Sequence, residues 1–140
     1  MEKSKKVGPA GKTILIVDDE FGLLEVLEFI LSDAGFTVVS AQNGQEALAR
    51  IKETMPNLAI VDFMMPILDG GEVIKAIRLD PRLRDIPIIL ASALREQTIR
   101  ELCDGYDVFL RKPYKTEQLM EEISKLIDQS RRKSRPKIVR

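Results

Sequence analysis

Short aliphatic runs alternate with helical periodicity five times along this chain, which predicts an α/β fold: a parallel sheet covered by helices. Two observations carry that prediction. Runs such as Ile14–Val17 (ILIV) and Pro87–Leu90 (PIIL) are apolar at every position, as strands buried on both faces require. Between the runs, apolar residues recur three and four positions apart, the spacing of one helix face. With 140 residues, 44% hydrophobic and 31% charged, the chain has the size and balance of one globular domain.

In chain order, the first strand reads as Thr13–Val17 (TILIV), and Leu24, Leu27 and Leu31 form the core face of the first helix. Gly35 ahead of Phe36 marks that helix's end and feeds a second strand, Thr37–Ser40 (TVVS). Asn43, followed three residues later by Glu46, caps a second helix carrying Ala47, Leu48 and Ile51. A third strand, Leu58–Val61 (LAIV), precedes a helix with Val73, Ile74 and Ile77. The fourth strand is Pro87–Ala91 (PIILA), and the helix after it holds Ile99 and Cys103, the latter expected as a small buried hydrophobe. The fifth strand is Val108–Leu110 (VFL), and Thr116 with Glu117 caps a last helix whose Leu119, Met120, Ile123, Leu126 and Ile127 share one face.

Composition narrows the chemistry. The absence of histidine removes a Ser/His/Asp triad, histidine-ligated metal sites and any phosphohistidine on this chain, and a single cysteine excludes an internal disulfide. No apolar run approaches the roughly 18 residues that span a bilayer, and the lysine-rich start lacks the apolar core of a signal peptide, so the expected location is cytoplasmic. The zero net charge hides an asymmetry: residues 13–129 hold 12 basic against 21 acidic side chains, a net of −9. Three parts follow: a basic arm (1–12), a domain (13–129) and a basic tail or linker (130–140). The arms read as solvated, and with no aromatic interleaved in the basic tail they argue against nucleic-acid binding by this chain alone.

Candidate functional residues fall at strand ends. The first strand runs into Asp18, Asp19 and Glu20, the third ends in Asp62, the fourth in Ser92, and Lys112-Pro113 follows the fifth. In an open parallel sheet all carboxyl ends lie along one edge, so these groups converge across up to 94 positions. Clustered carboxylates repel one another unless a cation offsets them, and a set without histidine or thiolate selects a hard ion such as Mg²⁺. A cation, the Lys112 ammonium and the Ser92 hydroxyl around one aspartate make a pocket that stabilises a transferring phosphoryl group, with Asp62 as nucleophile.

The segments VDDE (17–20), VDFMMPILDG (61–70), ASA (91–93) and FLRKPY (109–114) resemble the signature set of the response-regulator receiver family of two-component signalling. The resemblance spans essentially all of residues 13–129 and implies a flavodoxin-like, doubly wound five-stranded sheet of order 2-1-3-4-5 with helices on both faces. It implies Asp62 as phosphoacceptor, and Mg²⁺ (or Mn²⁺) bound by Asp19, Asp62 and the Met64 backbone carbonyl, with Asp18 assisting through water. Lys112 and Ser92 would contact phosphoryl oxygens, Phe109 would change rotamer with Ser92, and Lys112-Pro113 would be cis. Implied partners are a histidine kinase or phosphotransfer protein, and a downstream protein target or second copy docking on the face of helix 4, strand 5 and helix 5. Serine in place of the commoner threonine at 92, and Cys103-Asp104-Gly105-Tyr106 before the fifth strand, depart from the family pattern. Positions 64 and 94, where receivers with fast turnover place polar groups, hold Met and Leu, which implies a long-lived phosphoaspartate.

Three alternatives compete with a stand-alone receiver. The chain could be the receiver part of a longer regulator, or a pseudo-receiver that binds without being phosphorylated, although Asp62, Lys112 and the acidic pair are intact. A haloacid-dehalogenase-like phosphatase needs a second carboxylate two residues after its nucleophile, where this chain has Met64. Neither glycine-rich nucleotide motif is present.

Overall fold

A computed structural model of the protein describes residues 11–134, with side chains to Gln129. The arm up to residue 10 and residues 135–140 of the basic tail lie outside the described residues.

Five strands, β1 (Thr13–Val17), β2 (Thr37–Ala41), β3 (Leu58–Asp62), β4 (Ile88–Ser92) and β5 (Val108–Arg111), pair in parallel in the order β2-β1-β3-β4-β5. Five helices connect them: α1 (Phe21–Asp33), α2 (Gly44–Thr54), α3 (Gly70–Leu79), α4 (Glu96–Leu102) and α5 (Thr116–Ser134). The sheet separates two cores, and period-two alternation assigns strand residues to each. Leu15 and Val17 of β1, Ala59 and Val61 of β3, and Ile88 and Leu90 of β4 join Ala47 and Ile51 of α2, Val73, Ile74 and Ile77 of α3, and Ile99 of α4. On the other face Ile14, Ile16, Leu58, Ile60 and Ile89 meet Leu24, Leu27 and Leu31 of α1 and Leu119, Ile123, Leu126 and Ile127 of α5. Burial on both sides is why these strands read as unbroken apolar runs. The doubly wound fold is the one the sequence predicts.

Local signals act as their chemistry requires. Gly35 sits at φ 102°, and α1 closes with Phe36 N–H donating to the Leu31 carbonyl and Gly35 N–H to that of Ser32. This is a Schellman end, sealed by Phe36 and Leu31 in one core. Asn43 accepts from the Glu46 amide at 2.8 Å.

Some boundaries move. Pro87 precedes β4 instead of opening it, because it has no N–H to give the ladder, although its carbonyl accepts from Ala59 at 3.0 Å. β2, β3, β4 and β5 each extend one residue further than their propensity suggests, to Ala41, Asp62, Ser92 and Arg111, because neighbouring strands offer partners there. Thr116 lies inside α5: the Lys115 carbonyl accepts the first helical bond, from Leu119, which makes Lys115 the capping position. Cys103 ends α4 in extended conformation and is half-buried, packed against the core edge rather than enclosed by it.

At the amino edge of the sheet Arg78 ties α3 to two stretches of chain, 84–86 and 105–107. Its guanidinium donates to the carbonyls of Gly105 (2.8 Å), Arg84 (2.6 Å) and Ile86 (2.7 Å) and to the Asp107 carboxylate (2.9 Å), which also accepts from the Ile88 amide at 2.7 Å. Removing the fork leaves several polar groups short of partners. Arg78→Met should therefore lower stability by about 2 kcal/mol in urea unfolding. Unchanged unfolding would show these bonds to be replaced by water.

Candidate functional site

The strand order reverses between β1 and β3, and ligands of such sheets bind outside the carboxyl ends at that crevice. Asp18, just past β1, and Asp62, the last residue of β3, flank it. Both are buried, while Asp19 faces solvent. Asp18 is held by its backbone amide on the Ala41 carbonyl and by the Glu20 amide, which donates to its carboxylate at 3.0 Å. The Phe63 amide donates to the Ala91 carbonyl at 2.8 Å, fixing the chain beyond Asp62 to β4.

Lys112 reaches this crevice from the end of β5. Its amide donates to the Ser92 carbonyl at 2.8 Å, and the following Lys112-Pro113 bond is cis, as the resemblance implies. Its ammonium stands 2.8 Å from a carboxylate oxygen of Asp18 and 2.8 Å from one of Asp62. Burial works to lower this amine's pKa, but the hydrogen bonds to Asp18 and Asp62 outweigh it and the net shift is upward. The lysine is a permanent cation.

Oxygens of Asp18, Asp19 and Asp62 all lie within 4.8 Å of one another. Burial pushes the Asp62 carboxyl up to about 6; the Lys112 hydrogen bond opposes this, and the charges of Asp18 and Asp19 add to it. One lysine therefore leaves the cluster with uncompensated negative charge. Three hard oxygen donors with surplus charge fit a divalent cation such as Mg²⁺.

The other expected residues lie close by but differ in exposure. Ser92 is almost fully buried, and its hydroxyl accepts from the Leu94 amide at 3.1 Å. Leu94 itself is half-buried against the core that holds Leu90 and Val61. Met64, two residues past Asp62, is 61% exposed. Phe109 is half-buried and registers with Leu90, one strand over from Asp62.

Three features escape the sequence expectations. Asp69 and Glu72 form a reciprocal capping box, with both bonds at 2.9 Å, that anchors α3 and the loop after Asp62; its signal, Asp-x-x-Glu ahead of an apolar stripe, is present in the sequence. Gly70 lets α3 approach the end of β3, since a Cβ there would meet the Asp62 carbonyl oxygen at 2.7 Å. Tyr106 contacts both Phe109 and Glu96, and no sequence signal announces it.

Residues 14–124 match the family described as the response regulator receiver domain. The chain belongs to that family. Among structures similar to this receiver, the signal receiver domain of a histidine kinase from Syntrophus aciditrophicus has a TM-score of 0.81 at 32% identity, covering 93% of this chain and 98% of that one. The response regulator TrrA from Thermotoga maritima, solved in complex with Mg²⁺-BeF, has a TM-score of 0.75 at 33% identity, covering 82% and 98%. A probable transcriptional regulator, ycf27 of Porphyridium aerugineum, is 38% identical over 116 residues, 81% of this receiver and 47% of the relative. The receiver spans about half the length of the curated relatives it matches. No described helix is long and apolar enough to cross a membrane.

The raised Asp62 carboxyl gives the metal-free receiver a pH signature. A carboxyl near 3.8 when unfolded and about 6 when folded contributes stability below pH 3.8 that is lost as pH rises through 6. In chelator, Asp62→Asn should therefore gain on wild type by ~2–3 kcal/mol between pH 4 and 7.5, and millimolar Mg²⁺ should shrink that gain. Parallel urea curves at the two pH values measure it; a pH-independent difference would mean that the acidic cluster is not strained.

Proposed function

We propose that this receiver accepts a phosphoryl group on Asp62 from a phosphohistidine of a histidine kinase or phosphotransfer protein, and thereby alters a protein-binding face. The observation that carries this reading is the Lys112 ammonium, 2.8 Å from both Asp18 and Asp62 beside a third carboxylate. Asp18 and Asp62 share burial and the lysine; Asp62 is the one that ends β3, and it is the position the receiver resemblance assigns to the acceptor.

In the proposed step an Asp62 oxygen attacks phosphorus, the P–N bond breaks, and its electron pair leaves with the imidazole of the donor, which takes up a proton. A divalent cation (Mg²⁺ or Mn²⁺) held by Asp18, Asp19, Asp62 and the Met64 backbone carbonyl would neutralise charge on the transferring oxygens. Lys112 exchanges its carboxylate contact for a phosphoryl oxygen. Ser92 already accepts from Leu94, so its own proton is available to a phosphoryl oxygen. As Ser92 moves, Phe109 turns into the space beside it and biases the face of α4, β5 and α5 toward a target protein or a second copy. The Mg²⁺-BeF complex of TrrA supports the same ligand chemistry here. The transcriptional regulators among its relatives support a gene-control output in which nucleic acid is contacted by something other than this acidic domain.

Incubation with acetyl phosphate and Mg²⁺ should add one acid-labile phosphoryl group by intact mass, and chelator or Asp62→Asn should abolish it. Undiminished labelling of Asp62→Asn would place the acceptor elsewhere, and no labelling of wild type would favour a non-phosphorylated interaction module.

Lifetime follows from the residues two positions beyond Asp62 and Ser92. Met64 and Leu94 have no group that orients water in line with the acyl phosphate. The phosphoprotein should persist, and Met64→Asn with Leu94→Glu should speed its decay by roughly tenfold or more. Loss of phosphate within seconds from the wild type, or no acceleration in the double variant, overturns this account.

A further inference from the structure

Tyr106 lies three residues before Phe109 on the approach to β5; its side chain packs at the edge of the core beside the Arg100 guanidinium and makes two contacts that bear on α4. Its ring meets that of Phe109 with centroids 6.3 Å apart and planes tilted by 55°, a geometry that favours the edge of one ring against the face of the other. Its hydroxyl donates to the Glu96 carboxylate at 3.3 Å, and Glu96 is the first residue of α4. The same carboxylate pairs with Arg100 at 3.6 Å, an exposed contact on the helix surface that adds little.

The backbone on either side of Tyr106 is pinned. Arg78 donates to the Gly105 carbonyl and to the Asp107 side chain, and the Asp107 amide donates to the Ile88 carbonyl at 2.9 Å. The flanking residues are thus bound to α3 and β4, and what remains free to respond is the Tyr106 side chain. Burial and then the Glu96 charge keep its phenol above the ordinary value, so it stays a donor at neutral pH.

We infer that Tyr106 is a positioning residue that carries the movement of Phe109 to α4: a fixed pivot with Phe109 on one side and Glu96 on the other. The inference rests on the phosphorylation reading above. When Phe109 turns inward, the Tyr106 ring loses its aromatic neighbour, its hydroxyl leaves Glu96, and the first turn of α4 is released. α4 is suited to such release. It is seven residues long, Arg95 offers no side-chain cap, and Ile99 is its single buried anchor.

The test compares wild type, Tyr106→Phe, Glu96→Ala and Glu96→Gln, each with and without acetyl phosphate and Mg²⁺. Label is read by intact mass, and amide exchange is read across residues 96–102 and, as reference, across β1 and α1. All four should label alike. Wild type should exchange faster in α4 when phosphorylated. Tyr106→Phe and Glu96→Ala should exchange roughly tenfold faster in α4 before phosphorylation, with most of the phosphorylation-dependent difference gone. Glu96→Gln keeps a carbonyl acceptor and should behave as wild type. Labelled variants that retain the full phosphorylation-dependent change in α4 overturn the inference alone, as does equal acceleration of the β1 and α1 amides, which would make the bond purely structural. Absence of label in wild type overturns the phosphorylation reading and this inference with it.

Discussion

One ammonium between two buried carboxylates organises the carboxyl edge of this protein. Without Lys112, Asp18 and Asp62 would face each other across the β1/β3 crevice with Asp19 close by and no internal countercharge among the three. Coulomb repulsion at that separation is tolerable at the surface and expensive once water is excluded. The lysine offsets part of it, yet burial first, and then the charges of Asp18 and Asp19, still hold the Asp62 carboxyl above its ordinary value. The surplus of negative charge, three carboxylates against one ammonium, is the chemical basis of the site, since it fits a divalent cation. The fold supplies the geometry. Parallel strands deliver their ends to one edge, and the amide of Lys112 on the Ser92 carbonyl sets the height at which the ammonium crosses.

Much of this was legible because the relevant signals are periodic or positional. Strands buried on both faces announce themselves as unbroken aliphatic runs, and helix stripes such as Leu24, Leu27 and Leu31 point to one core each. The acidic pair, Asp62, Ser92 and Lys112 stand at strand ends, so the topology alone brings them together. What could not be read depends on rotamers of residues far apart in the chain. Arg78 reaches Gly105 and Asp107 across 27 and 29 positions, and any exposed arginine on α3 would have looked the same. Strand ends shifted by one residue because pairing partners, not local propensity, decide where a ladder stops. Thr116 looked like a cap because its residue type suits one, yet the helix begins at it.

The two edges of the sheet are built differently. The carboxyl edge holds charges that are poorly balanced and open to a ligand, whereas the amino edge is fastened by a guanidinium whose donors reach two stretches of chain, 84–86 and 105–107. Under the proposed function that asymmetry matters: with the far edge fastened, a change at Asp62 would be directed toward α4 and the approach to β5 rather than lost in local motion at both edges.

The order in which the crevice is assembled along the chain has a consequence of its own. Asp18 and Asp62 belong to the first half of the polypeptide, while the lysine that balances them follows the last strand. A nascent or clipped chain ending before β5 would possess all three clustered carboxylates yet lack the cation, and β4 would be left as a bare apolar edge. Closure of the crevice is therefore a late event: its charges come into balance only when the last strand has paired with β4 and the lysine beyond it has reached across to Asp18 and Asp62.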